Sequence, residues 1–199
     1  MMRTTTLQQR YVAPEHQSHR MRWLLVLLLL ITGPAIGADC DMQLSNGEVG
    51  YGMLHRGELE GDARADILPL GKRELTLTIA CREPTSFRLQ FDSEPAGASE
   101  FRFGQHGHFI VGLSQATLDG KPVQLAQRVD ITEGRAPVSP SARLVPNGSV
   151  DVVDQLAPVT GKVFSAQVEV ETYIDAASTR VRDHQSLEGR GSFRLRAAQ

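Results

Sequence analysis

The pattern that recurs along this chain is period-two alternation. Residues 74–81 read ELTLTIAC, so Leu75, Leu77, Ile79 and Cys81 point one way and Glu74, Thr76 and Thr78 the other. Residues 86–91 set Phe87, Leu89 and Phe91 against Arg88 and Gln90. Residues 164–170 place Phe164, Ala166, Val168 and Val170 on one side, with Ser165, Gln167 and Glu169 opposite. Residues 192–196 set Phe193 and Leu195 against Arg194 and Arg196. Successive side chains of a strand leave opposite faces, so these runs predict strands with one face buried and one wet. Weaker runs predict strands at 48–53, 101–103, 108–113, 122–126, 128–131 and 149–153.

Turn chemistry separates the runs at Ser45-Asn46-Gly47, Glu94-Pro95-Ala96-Gly97, Leu118-Asp119-Gly120, Pro146-Asn147-Gly148 and Thr160-Gly161-Lys162. Many short strands with regular turns predict a β-sandwich or barrel. No stretch beyond residue 37 holds a helical period for three turns, and 174–185 reads as a loop or short turn. Residues 135–146, with Pro137, Pro140 and Pro146, read as a surface loop. There is no internal repeat and no sign of a second domain.

The first 37 residues follow a different pattern. Residues 23–31 read WLLVLLLLI, nine residues without charge. A membrane span needs roughly 20 apolar residues, whereas the apolar core of a secretory signal is about this long. Arg20 and Arg22 supply its positive flank, and Ala35-Ile36-Gly37 supplies small residues for cleavage. The expectation is a signal peptide over 1–37, cut after Gly37, with the bond after Ala38 as the close alternative. Met21 opens a better-proportioned leader, so 21–37 from an internal start is the other reading. The domain proper is then 38–199, in the periplasm or at the cell surface. It touches membrane only through the leader before cleavage.

Export changes the reading of Cys40 and Cys81, the two cysteines of the chain. In an oxidising compartment two cysteines most often join. The closed loop spans about 40 residues, worth roughly 3–4 kcal/mol in the chain-entropy model. Two thiols are also too few for a four-thiolate zinc site or an iron–sulfur cluster. Charge adds little: 21 basic and 23 acidic residues give −2. That balance offers no basic excess for nucleic acid.

The sequence carries no recognisable catalytic constellation and reads as a non-enzyme with no cofactor. The nearest approach to a nucleophile elbow, Gly112-Leu113-Ser114-Gln115-Ala116, lacks its second glycine. No glycine loop of the phosphate-cradling kind occurs. Gln105-His106-Gly107-His108 is the most tempting cluster. On a strand, His106 and His108 would share a face and could share a metal, with His55 or His184 as a third ligand. The competing reading is a polar hairpin tip between Phe103 and Phe109, and it is preferred. Asp151 with Asp154, and Glu169 with Glu171, are the conceivable carboxylate pairs; the glutamates alternate with valines and read as a solvated face. Asn147-Gly148-Ser149 fits a glycosylation sequon and, more simply, a tight turn.

Taken in order, several elements resemble pilin subunits. Ala38-Asp39-Cys40 puts a cysteine near the mature start. Val49-Gly50-Tyr51-Gly52 resembles the pilin element V-D-[FY]-G, and 75–81 is an alternating strand ending in the second cysteine. Phe164-Ser165-Ala166-Gln167-Val168 resembles a penultimate pilin strand and Gly191-Ser192-Phe193-Arg194-Leu195 the closing one. The likeness spans nearly all of 38–199 and is nearest to an uncharacterised family of fimbrial-like bacterial proteins of the chaperone–usher type. It implies an immunoglobulin-like (pilin-like) sandwich lacking its final strand, with Cys40 and Cys81 tying the first strand to the second. It implies an apolar groove, walled by the strand carrying Phe193 and Leu195, that a periplasmic chaperone and then another fimbrial subunit would fill by β-strand addition. Only Ala38 and Asp39 precede Cys40, a stub of about 7 Å. The implied role is therefore that of an acceptor, structural or adhesive, which does not donate a strand. Arg196-Ala197-Ala198-Gln199 stands where pilins often carry an aromatic anchor for the chaperone. The alternative function is a self-complete periplasmic sandwich that binds a metal or small ligand near His106 and His108.

Overall fold

Alternation becomes structure along nearly the whole described chain. The computed structural model describes residues 39–54, 66–129, 137–179 and 186–197. The expected leader with its cleavage site, Met21, His55 and His184 lie outside the described residues. The strands, in chain order, are β1 (Cys40–Leu44), β2 (Ile67–Ser93), β3 (Phe101–Phe103), β4 (Gly107–Leu118), β5 (Lys121–Pro122), β6 (Gln124–Val129), β7 (Val138–Ser139), β8 (Ala142–Leu144), β9 (Gly148–Asp154), β10 (Ala157–Pro158), β11 (Thr160–Asp175) and β12 (Gly191–Ala197). One short 3-10 turn, Ala176–Thr179, follows β11. Every ladder between these strands is antiparallel.

The fold is an all-β sandwich whose two sheets share one strand. One sheet runs β1, β2, β11, β4, with β3, β8 and β5 on the far side of β4. The other runs β12, β2, β9, β6, β7. The first half of β2 lies in one sheet and the second half in the other. The crossing falls where Gly161 pairs with Thr85 and Val163 next pairs with Ala80, leaving residues 81–84 opposite Lys162 alone. Pro84, which has no N–H to give a ladder, sits in that break.

This corner corrects two expectations. The runs at 74–81 and 86–91 are one strand, because the chain bends through a bulge and not through a turn. Thr160-Gly161-Lys162 is no turn either but the start of β11. A Cβ on Gly161 would lie 2.6 Å from the Leu118 side chain, so only glycine lets β11 pass there. A second bulge explains why the alternation of β4 fades after Leu113. Gln115 is left-handed at φ 51, and the buried set changes from Phe109, Val111 and Leu113 to Ala116 and Leu118. The expected strand at 48–53 does not form, and the expected loop at 135–146 contains β7 and β8. Leu144 and Val145, from that loop, are buried.

The core lies between the sheets. Leu77, Ile79, Phe87, Leu89, Val150, Val152, Phe164, Ala166 and Val168 are almost wholly removed from water. Phe87 of one sheet stacks on Phe164 of the other at 5.6 Å, and Phe91 meets Phe109 edge-on at 6.1 Å. Such aromatic pairs add roughly 0.5–1.5 kcal/mol beyond their area. Cys40 and Cys81 face each other across β1 and β2 and are joined by a disulfide.

Candidate functional site

Beyond the central strands the inward residues are less well covered. On β1, Met42 and Leu44 alternate with exposed Asp41 and Gln43 and are half-buried. On β12, Phe193 and Leu195 are half-buried and alternate with exposed Ser192, Arg194 and Arg196. Leu75 of β2 and Val170 of β11 are half-buried as well, and all six pack against the core. Of these, Leu44 of β1, Leu75, Val170 and Phe193 of β12 line one cavity. β1 and β12 each pair with β2 and with no other strand among the described residues. One edge of each therefore carries backbone groups without a strand to receive them, a condition soluble proteins ordinarily blunt or cover.

That cavity has a volume of about 730 Å³. Its floor is apolar: Leu75, Phe91, Phe109, Val111, Val168 and Val170. One wall is residues 47–54, which continue from β1, and the other is residues 186–191, which lead into β12. Gly191 sits close to the floor, where a Cβ would lie 2.1 Å from the Phe91 ring. That packing explains the glycine ahead of the last strand. Tyr51 lies at the cavity, its phenol donating to Thr172 Oγ1 at 2.9 Å.

Thr172 is the site residue that the sequence reading missed. It is 2% exposed and follows Val168 and Val170 on the inward side of β11. Extending the alternation past Val170 would have revealed a polar side chain in an apolar series.

His106 and His108 do not share a strand face. Gly104 to His106 form the turn between β3 and β4, and β4 begins only at Gly107. His106 is exposed in that turn. His108 is on the outer face of β4 and its ring stacks on Tyr173 at 5.0 Å. The hairpin reading of this segment is the one the chain adopts. Among the described residues no group of three or more His, Cys, Asp or Glu is placed to hold a metal ion.

The carboxylates serve as ion-pair partners. Asp151 is 4% exposed, with Arg88 of β2 and Arg128 of β6 on either side. Arg88 donates to it through Nε at 2.6 Å. Burial pushes the Asp151 carboxyl up; hydrogen bonds from Arg88 and Arg128 outweigh this and hold it below the ordinary carboxylate range. Asp154 is exposed at the end of β9. Glu169 and Glu171 lie on the outer face of β11, where both pair with Lys72. Hydrogen bonds to Glu171 and then Glu169 push the lysine up to about 12. These exposed pairs place charge on the wet side of the sheet and contribute little to stability.

Comparison with protein-family models, with curated proteins and with solved structures finds no match to this chain.

Proposed function

We propose that this chain is an exported, fimbrial-like subunit that accepts a β-strand from another protein in the gap between β1 and β12. The observation that carries the reading is the coincidence of two features at one place. The outer edge of β12 faces no strand among the described residues, and the half-buried apolar side chains Leu44, Leu75, Val170 and Phe193 line the cavity beside it. An added strand would satisfy the edge with main-chain hydrogen bonds, while alternate side chains entered the groove. The strand order β1, β2, β11, β4 over β12, β2, β9 supports an immunoglobulin-like sandwich without its last strand. The partners are a periplasmic chaperone and neighbouring fimbrial subunits, and the role is structural or adhesive, without catalysis.

The test is strand capture by the purified full chain. A synthetic peptide of about ten alternating valine and threonine residues offers the required edge and apolar face. The reading expects a one-to-one complex that raises the melting temperature, and expects Phe193→Arg to abolish it by placing a charge in the groove. A wild-type chain that neither binds the peptide nor gains thermal stability overturns strand acceptance.

A further inference from the structure

We propose that Tyr51 is a latch that holds residues 47–54 against one end of the groove and so governs how fast a strand can enter. The inference rests on the strand-accepting reading above and concerns the control of that site. Ser45 is the last residue of the β1 segment with a backbone bond to a strand, its N–H reaching the Thr76 carbonyl at 2.8 Å. From residue 47 to 54 the chain walls the cavity, yet no backbone hydrogen bond to a strand occurs there among the described residues. Side chains must therefore hold it.

Tyr51 is gripped from three directions. Its phenol donates to the buried Thr172. Its ring meets the edge of Phe103 at a centroid distance of 6.5 Å. The Arg73 guanidinium lies 4.8 Å from the ring centroid, within cation–π range. The neighbours do not share this anchorage. Gly50 and Gly52 flank it, Gly52 at φ 71, and nothing lies within 4 Å of where either Cβ would be. Met53 is 70% exposed and Leu54 40%. Val49 alone adds a half-buried apolar contact. Among the described residues the segment is held mainly by one ring between two glycines, and it can swing aside once that ring is released. Thr172 fits this role, since a polar residue in the inward series of β11 has its partner in the tyrosine hydroxyl. Release is then cheap compared with opening a ladder, because one side chain gives way and no strand is broken.

The experiment is stopped-flow anisotropy with the full chain and a fluorescein-labelled peptide of about ten alternating valine and threonine residues. Tyr51→Phe removes only the hydroxyl, and Thr172→Val removes only its acceptor while keeping the buried shape. Each is expected to speed entry about fivefold, the factor one net hydrogen bond of this kind is worth. Tyr51→Ala is expected to speed it more than tenfold. Urea midpoints are measured beside the rates. Faster entry by Tyr51→Phe and Thr172→Val at a nearly unchanged midpoint supports the latch. Entry at the wild-type rate, or faster only in proportion to lost global stability, overturns it and leaves strand acceptance standing. Failure of every chain to take up the peptide, wild type included, overturns strand acceptance and the latch together.

Discussion

Asp151 shows at single-residue scale how this sandwich uses charge. Its neighbours Val150 and Val152 face the core, so alternation places Asp151 on the other side of β9. That parity was readable in the sequence. Its burial and its two arginine partners were not, since Arg88 and Arg128 are 63 and 23 residues away. A buried carboxylate is tolerated when paired and hydrogen-bonded; removing one partner leaves the others uncompensated. Asp151→Asn is therefore expected to lose about 3 kcal/mol near neutral pH, read by urea denaturation. The pH dependence follows from the direction of the shift. The folded-state pKa of Asp151 lies below its unfolded value, so its contribution is present above about pH 4 and fades as pH falls through the folded value. The wild type should lose part of its margin over Asp151→Asn as the pH falls below about 4, the unfolded carboxyl value. Equal stability of the two proteins at neutral pH contradicts the assigned pairing. The histidines teach the complementary lesson. The i, i+2 spacing of His106 and His108 suggests a shared face only if both lie on a strand, and the turn Gly104 to His106 prevents that.

Elements were legible where one periodicity ran uninterrupted. Residues 101–103 and the strand over 149–153 were found nearly to the residue, and the alternation of Phe164, Ala166, Val168 and Val170 located the middle of β11. Errors concentrate at bulges, where the period shifts by one. Gln115 ended the β4 pattern early, and the corner at 81–84 split β2 in two. Gly71, at φ 91, marks a third bulge, where Thr172 pairs with Gly71 and Tyr173 with Pro69. The apolar run at 48–53 failed for another reason. Its alternation describes side chains that face the groove, but no neighbouring strand is there to receive its backbone among the described residues. The disulfide acts at this same scale. It fastens β1, a five-residue strand with a single partner among the described residues, to the long β2. Replacing Cys40 and Cys81 together by alanine is expected to cost about 3–4 kcal/mol in urea denaturation, the chain-entropy value for a loop of 41 residues. A loss well under 1 kcal/mol would mean that β1 holds its place without the link.

For the whole molecule, the proposal of an open side rests on β1 and β12, each of which pairs with β2 alone among the described residues. The aromatic cluster of Phe91, Phe101, Phe109 and Phe193 fills the end of the core nearest the cavity. The sequence carried the all-β class and the stitched first strands. It could not carry the cavity itself, which is made by β1, β2, β4, β11 and β12 meeting across the fold. The account stands on the open edge of β12, and amide hydrogen exchange of β12 in the isolated chain tests it most directly. A strand paired on one side only protects alternate amides, those aimed at β2, and leaves the rest to exchange. The account predicts that alternation along residues 191–197, with the fast amides becoming slow when a strand-forming peptide is added. Uniform protection of all β12 amides in the isolated chain would contradict it.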